Sequence, residues 1–554
     1  MPGSRLPLAG VLSLGRPSDI WFKPALSAVV SVAPPNLILL ALGRLDLAMY
    51  TMAGSLCALY AHNRPYAARA RVLAGVVLGM TGGLAVALLA ASLTTDPAVL
   101  VAVGALLAAA QKSVCDMTRL GPPANVVLTF ISSAALFAPQ TPAQIPGHLG
   151  LALAAGAWAW LIGMAPGLVR PHGPERRSTA NALHAAAAFA AAAEAPETSR
   201  TPRPAEARAR ASAAAAVHAA WQTLSAVRDV RTRRALERLL VRAEVALAAP
   251  ADTDPERLRA WAGTLRTTGP VPYPDDLPDD DELLGPEARP AVGQPSLRHR
   301  LGPLAPIALR TALGCALAGY ASLALGVGRP YWALVTAASL YQANITLTWN
   351  RAVQRVVGNL VGVLAFAALA PLAHLHPAAL VLVCLGLNFG AEALISRNYW
   401  LGSVCVTPMA LLITEFARYQ DSGRLITERL VDTLVGAAVG FVAAVAVTNR
   451  RAGDRLERAL SAVEAARDHT GHLLTRPDIT PATLESARRA LAAALVELSA
   501  TADAASGEWW QRGLPEERVV AAEQSGHRTL AATARHQGLL PDRDATTRAE
   551  DVRR

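Results

Sequence analysis

Apolar residues run along this chain in two blocks, and polar residues fill the stretch between the blocks and the stretch after the second. The first block holds six apolar runs, at about 20–42, 47–61, 72–92, 97–110, 123–138 and 148–169. The second holds six more, at about 304–326, 330–346, 353–372, 377–395, 399–416 and 430–448. A helix crossing the hydrocarbon core upright needs about 20 apolar residues. Several runs are shorter than that, so their positions are better defined than their edges. The pattern predicts an all-α polytopic membrane protein with about twelve transmembrane helices. They form two six-helix halves, 1–170 and 303–449, with helical domains at 171–302 and 450–554.

Basic residues follow the even-numbered runs. Arg64, Arg69 and Arg71 follow the second, Lys112 and Arg119 the fourth, and Arg170, Arg176 and Arg177 the sixth. Arg351 and Arg355 follow the eighth, Arg397 the tenth, and Arg450, Arg451 and Arg455 the twelfth. Asp96 stands alone in one intervening connection, and 139–147 carries no charge. Cytoplasmic loops carry the excess of Lys and Arg. This predicts a multi-pass protein of the cell (inner or plasma) membrane with both termini and both polar regions in the cytoplasm. The halves also echo each other. Leu42-Gly43-Arg44 precedes the second run as Val327-Gly328-Arg329 precedes the eighth, and Lys23 sits early in the first run as Arg310 does in the seventh. Two parallel repeats would produce this, and so would two halves of similar Ala/Leu/Gly composition.

The polar regions read as helical. Positions 205–249 suit one or two long helices with Leu224, Val227, Leu236, Leu239 and Leu240 on one stripe. Thr253-Asp254-Pro255-Glu256 marks a helix start. Positions 270–295, rich in Pro and Asp, read as an acidic linker. In the last region helices are expected near 451–474 and 481–501, with a further one after Pro515. Neither region has the bulky apolar content for a large core of its own, so each should pack on the other or on a partner subunit.

Composition agrees with a membrane protein. The chain is 52% hydrophobic and 17% charged, where a soluble domain is about 25% charged. Its net charge of +10 could suggest nucleic acid, but the arginines lie at helix ends and in long polar segments without interleaved aromatics. We expect no nucleic-acid partner. The five cysteines lie in or beside apolar runs without C-x-x-C spacing, which argues against disulfides and zinc. No P-loop, H-E-x-x-H or G-x-S-x-G occurs. The chain therefore carries no ATP-binding loop of that kind, and we expect no enzymatic activity and no cofactor. His374 and His376 have a metal-ligand spacing but no carboxylate or cysteine beside them.

A few polar residues interrupt the apolar runs. Arg310 lies about seven residues into the seventh. An ionised arginine in lipid costs several kcal/mol on the lower estimates, so it should face a cavity or a counter-charge, or snorkel to the cytoplasmic edge. A guanidinium facing a cavity would grip a carboxylate with two parallel hydrogen bonds. Lys23 poses the same alternative. Glu392, inside the tenth run, is either a proton-coupling carboxylate, since removal from water favours the protonated form, or the partner of Arg397 or Arg355. Asp432, opening the twelfth, would favour a helix dipole. Pro34-Pro35-Asn36 and Pro408 either break their helices around a cavity or merely kink them. Gln342, Asn344 and Thr346 could line a path or bond between helices. Glycines spaced by four, including Gly75/Gly79/Gly83, Gly358/Gly362, Gly386/Gly390 and Gly436/Gly440, suit close helix packing.

The second half shows a further order: Arg329-Pro330-Tyr331-Trp332, then Trp349-Asn350-Arg351, Arg355 and Gly358-x-x-x-Gly362, then Arg429 through Asp432 to Gly436. It resembles the fusaric-acid-resistance-like family, which includes aromatic acid exporters, although that family's usual Gly-Thr reads Gly358-Asn359 here. The resemblance implies a proton-driven exporter of aromatic or other organic acid anions. Arg310, Lys23, Asn36, Gln342, Asn344, Arg351 and Arg355 are candidates for the anion path, and Glu392 for proton coupling. The same six-helix unit is similar to that of plant malate channels, so an anion channel is the alternative; a membrane scaffold binding partners through its helical domains is another. The expected partners are the organic anion and the lipid bilayer, with room for a homo-oligomer and for a periplasmic or accessory protein.

Overall fold

The structure is a computed structural model that describes residues 8, 10–15, 20–193, 204–225, 227, 229–273, 305–416, 419–447, 452–508 and 515–537; every regular element among them is a helix. A backbone in hydrocarbon must satisfy its own hydrogen bonds, so each apolar run folds as a helix. The first half comprises α1 (Phe22–Ala41), α2 (Ala48–Ser55, continued by the 3-10 turn Leu56–Leu59), α3 (Tyr66–Leu93), α4 (Pro97–Met117), α5 (Asn125–Leu136) and α6 (Ile145–Met164). A short α7 (Pro166–Val169) leads to α8 (Gly173–Ala193), α9 (Pro204–Leu224), α10 (Val230–Ala248) and α11 (Pro255–Arg266). The second half holds α12 (Ala305–Ala324), α13 (Tyr331–Leu340), α14 (Ile345–Ala373), α15 (Pro377–Ile395), α16 (Tyr399–Ile413) and α17 (Ser422–Ala446). The last helices are α18 (Ala452–Leu474), α19 (Pro481–Ser506) and α20 (Glu516–His536).

Among the described residues eight helices are long and apolar enough to cross a membrane, and four shorter apolar helices lie among them. The short ones are the second and fifth of each half: Leu45–Leu59, Asn125–Leu136, Tyr331–Leu340 and Tyr399–Ile413. They occupy the interior. Every residue of α13 is buried, as is every residue from Tyr50 to Tyr60. Helices that meet other helices rather than lipid need not match the bilayer's thickness, which explains why the about twelve expected spans divide into eight long and four short.

The third helix of each half is the longest, with 28 residues in α3 and 29 in α14. The packing repeats with the lengths. In both halves the second helix packs on the sixth and the third on the fifth. Between halves, α1 packs on α15 and α12 on α4, so the first helix of each half meets the fourth of the other. This is the pattern of a pseudo-twofold axis. Small residues bring the elements close: a Cβ on Gly436 would lie 2.5 Å from the Ala333 carbonyl oxygen, and one on Gly358 would lie 2.7 Å from that of Trp400. Pro34 and Pro35 stay inside an unbroken α1, and Pro408 inside α16.

The polar regions sit together at one end of the membrane helices, here called the domain side. Helices α8 to α11 share a core that includes Leu183, Leu224, Leu236 and Leu258, and α18 to α20 a second one around Leu460, Leu491 and Leu495. Asp254, one residue later than the first residue of the predicted start motif, caps α11 by accepting from the Glu256 and Arg257 amides. The two cores dock through Arg488, which bonds Glu485 at 2.7 Å and Glu244 at 2.5 Å, while Trp221 donates to Glu244 at 2.8 Å. Burial would raise the Glu485 carboxyl, but Arg488 outweighs it and holds the carboxyl down to about 2. The expected acidic linker lies outside the described residues beyond position 273.

Candidate functional site

The four short helices enclose a cavity of about 650 Å³ between the two halves. Its lining runs from Asp46, Gln140 and Gln144 at the far side to Pro123, Glu392 and Ile395 toward the domain side. Aromatic side chains form much of the wall: Tyr50, Phe130, Phe137, Tyr331, Tyr399 and Phe416. Tyr331 stacks on Phe137 with ring centres 5.8 Å apart. At the far end the Tyr50 and His148 rings stack at 3.8 Å, and Gln140 bridges them, donating to the Tyr50 hydroxyl at 2.5 Å and meeting His148 Nδ1 at 3.0 Å.

Three guanidiniums reach this cavity: Arg329, Arg355 and Arg429. Arg329 is engaged, with Glu428 at 3.4 Å and Gln420 as partners. Arg355 and Arg429 are only 4% and 1% exposed. Arg355 Nη1 donates to the Tyr399 hydroxyl at 3.1 Å, but its Nε finds no acceptor among the described residues. Arg429 leaves both Nε and Nη1 without an acceptor among them. Its guanidinium lies 5.1 Å from the Trp332 ring centre, with Arg329 5.0 Å from the same ring. Arg429 and Arg355 are close enough to repel each other. Asp432, one turn on in α17, offsets part of that charge while accepting from Ser322 at 2.5 Å. Buried donors without acceptors are costly, and at a cavity wall they can be satisfied by an anion.

Two carboxylates line the same space. Asp46 is occupied by Arg44 at 3.0 Å. Glu392 forms no ion pair among the described residues. The pairing with Arg397 or Arg355 raised by the sequence is therefore absent from the structure, and a half-buried carboxylate faces the cavity alone.

The other sequence candidates fall elsewhere. Arg310 does not line the cavity: its Nε and Nη2 donate to the Val447 carbonyl at the end of α17, at 3.1 and 2.7 Å. Its guanidinium reaches the domain-side end of α17 and ties α12 to it. Asn36 accepts from Thr51 at 3.3 Å and links α1 to α2. Asn344 caps α14 and donates to the Asp503 carbonyl at 3.4 Å, Thr346 donates to Gly507, and Gln342 bonds to Tyr341 and Thr348 in the same turn. This turn is where the membrane half rests on α19. Arg351 lies 3.9 Å from the Tyr399 ring centre, holding that tyrosine beside Arg355. Lys23 lines a separate basic pocket on the domain side. Asp432, read as the opening of its span, is instead well inside α17. His374 pairs with Glu415 at 2.9 Å and His376 caps α15. Among the described residues no three His, Cys, Asp or Glu side chains converge as a metal site. The sequence reading also left Arg329, Arg429, Tyr399, Asn388 and the Tyr50–Gln140–His148 cluster out of the site.

The class is thus set by fold and cavity together: an all-α polytopic membrane protein with a charged, aromatic-walled cavity between two similar halves. Residues 315–443, within the second half of this chain, match the profile of the family described as fusaric acid resistance protein-like. The uncharacterized membrane protein YvaC of Bacillus subtilis (strain 168) is 25% identical over 474 residues, spanning 78% of this chain and 74% of that protein. No solved structure matches.

Proposed function

We propose that this chain exports organic anions, aromatic carboxylates foremost, using the central cavity as the binding site and the proton gradient as the energy source. The family match supports a transporter-type function at the coarse level. One observation carries the finer reading: Arg355 and Arg429 present buried N–H groups without acceptors to a cavity walled by aromatic rings. A carboxylate would take those donors in paired, charge-assisted bonds, and a ring would lie against Tyr331, Phe137 and Tyr399. The volume is in the range of small-molecule sites, about 300–1,000 Å³. The Lys and Arg bias of the connections supports a domain side that is cytoplasmic. Glu392, unpaired in the same cavity, supports coupling: a carboxyl that takes up a proton from one side and releases it to the other can drive exchange.

Purified protein in liposomes tests this with labelled benzoate and an imposed pH gradient. Wild type should accumulate or expel benzoate according to the gradient. Glu392→Gln should keep benzoate exchange at equal pH but lose the response to the gradient. A Glu392→Gln variant that still follows the gradient would remove the coupling role. Gradient-independent flux through the wild type would favour a channel.

A further inference from the structure

A second pocket, of about 400 Å³, opens on the domain side where α1 begins and α7 runs into α8. It is lined by Lys23, Arg170, Arg176, Arg177 and Arg266, with no carboxylate among the described residues of its wall. Lys23 lies within electrostatic range of Arg177, Arg170 and the buried Arg69. The cluster is held in place. Arg176 donates to the carbonyls of Leu265 and Gly269 at 3.3 and 2.6 Å, fastening α8 to α11. His172 is turned toward Asp229 at 3.7 Å. The first turn of α8, beginning at Gly173, also opens here and adds the positive end of a helix dipole.

The rim is apolar. Leu168 and Val169 are 90% and 82% exposed, the two most exposed large hydrophobic side chains among the described residues, and Phe22, also exposed, lines the pocket with Val169. These residues end α7 and begin α1, at the polar boundary of spans that present most of their surface outward. Aromatic side chains at that level mark the membrane–water interface. A basic pocket with an apolar rim, at the depth where spans meet the polar boundary, matches a phospholipid: phosphate against the cations, acyl chains along Leu168, Val169 and Phe22.

We infer that this pocket binds the phosphodiester headgroup of an anionic phospholipid in the leaflet on the domain side, with Lys23, Arg170 and Arg177 as the headgroup contacts. The bound lipid would fasten α1, which packs across onto α15 of the other half, to the α8–α11 domain. It is a site distinct from the central cavity and does not depend on what that cavity carries.

The test uses the full chain in nanodiscs of phosphatidylcholine with one-fifth phosphatidylglycerol, scoring the phosphatidylglycerol retained after detergent extraction by native mass spectrometry. The variant is Lys23→Gln with Arg170→Gln and Arg177→Gln; Arg176 is spared because it holds α8 to α11. A charge-matched control replaces Arg71, Arg119 and Arg397 by Gln. Wild type and control should retain at least threefold more phosphatidylglycerol than the pocket variant, and Lys23→Arg with Arg170→Lys and Arg177→Lys should restore it. Equal retention by the pocket variant overturns the site. Displacement of the lipid from wild type by millimolar inorganic phosphate makes it a free-phosphate site and overturns the lipid assignment. If the triple variant does not fold, Arg170→Gln alone, at an exposed position, should lower retention, and no change there overturns the proposal.

Discussion

Arg310 and Arg429 are both guanidiniums inside apolar helices, and the fold gives them opposite work. Arg310 spends its donors on the Val447 carbonyl, whereas Arg429 keeps two for the cavity. Arg429→Gln should therefore lower benzoate transport at least tenfold at matched membrane levels. Arg429→Lys should retain part of it, because a point charge keeps attraction but loses the paired bonds. Arg310→Gln should leave the transport rate per folded molecule near wild type and lower stability by about 1–3 kcal/mol, the cost of leaving a buried carbonyl without its charged donors. Hydropathy pointed to Arg310 because it drew span edges at charges. It opened the last span at 430, which put Arg429 outside, and the ninth at 353, which left Arg355 at its very edge. In the structure α17 starts at Ser422 and α14 at Ile345, so both arginines lie two turns or more within their helices. Residues that serve a cavity interrupt the apolar pattern that would reveal the helix holding them.

Elements were more legible than residues. The order of helices and the start of α11 follow the sequence pattern, and the turn between α13 and α14 was hidden because Gln342 to Asn344 sit in an otherwise apolar run. Glycine spacing was a partial guide. Gly436 and Gly358 do mark close approaches, while Gly75, Gly79 and Gly386 have nothing near the position a Cβ would take. Spacing shows that a helix has a smooth face but not whether a neighbour uses it. Gly436→Ala should cost about 1–3 kcal/mol, because α17 must move off the Ala333 carbonyl. Gly386→Ala should be neutral or stabilising by up to about 1 kcal/mol through helix propensity. Unfolding in mixed micelles compares them; equal effects would show that α13 and α17 are not packed as described.

Across the whole molecule, the halves exchange partners, α1 with α15 and α4 with α12, and leave the cavity between them. Tyr320 of α12 donates to the Ala98 carbonyl of α4 at 3.2 Å, one such cross-half tie. The thin cores of the two polar regions left open whether they would pack on each other or on a partner subunit; they dock on each other, and a means of it, a buried Arg488 between two glutamates, lay in residues that read as an ordinary charged helix face. Removing one member of a buried pair costs about 3–5 kcal/mol. Arg488→Met should therefore separate the domains, seen as faster proteolysis between them. Glu485 sets an acid limit. Its folded value of about 2 lies below the unfolded value of about 4.3. Its contribution is present above about pH 4 and is lost as pH falls toward 2. Because Glu485 shares α19 with Arg488, it is the stability of the α18–α20 helices that should weaken over that interval, as thermal unfolding against pH would show.

The central claim is that a carboxylate sits between Arg355 and Arg429. A structure of the chain in nanodiscs with 4-iodobenzoate, the iodine located by its density, tests it most directly. The account predicts the carboxylate at hydrogen-bond distance from both guanidiniums, the ring against Tyr331 and Phe137, and loss of the density in Arg429→Gln. Iodobenzoate bound outside this cavity, or bound within it unchanged in Arg429→Gln, would contradict the account.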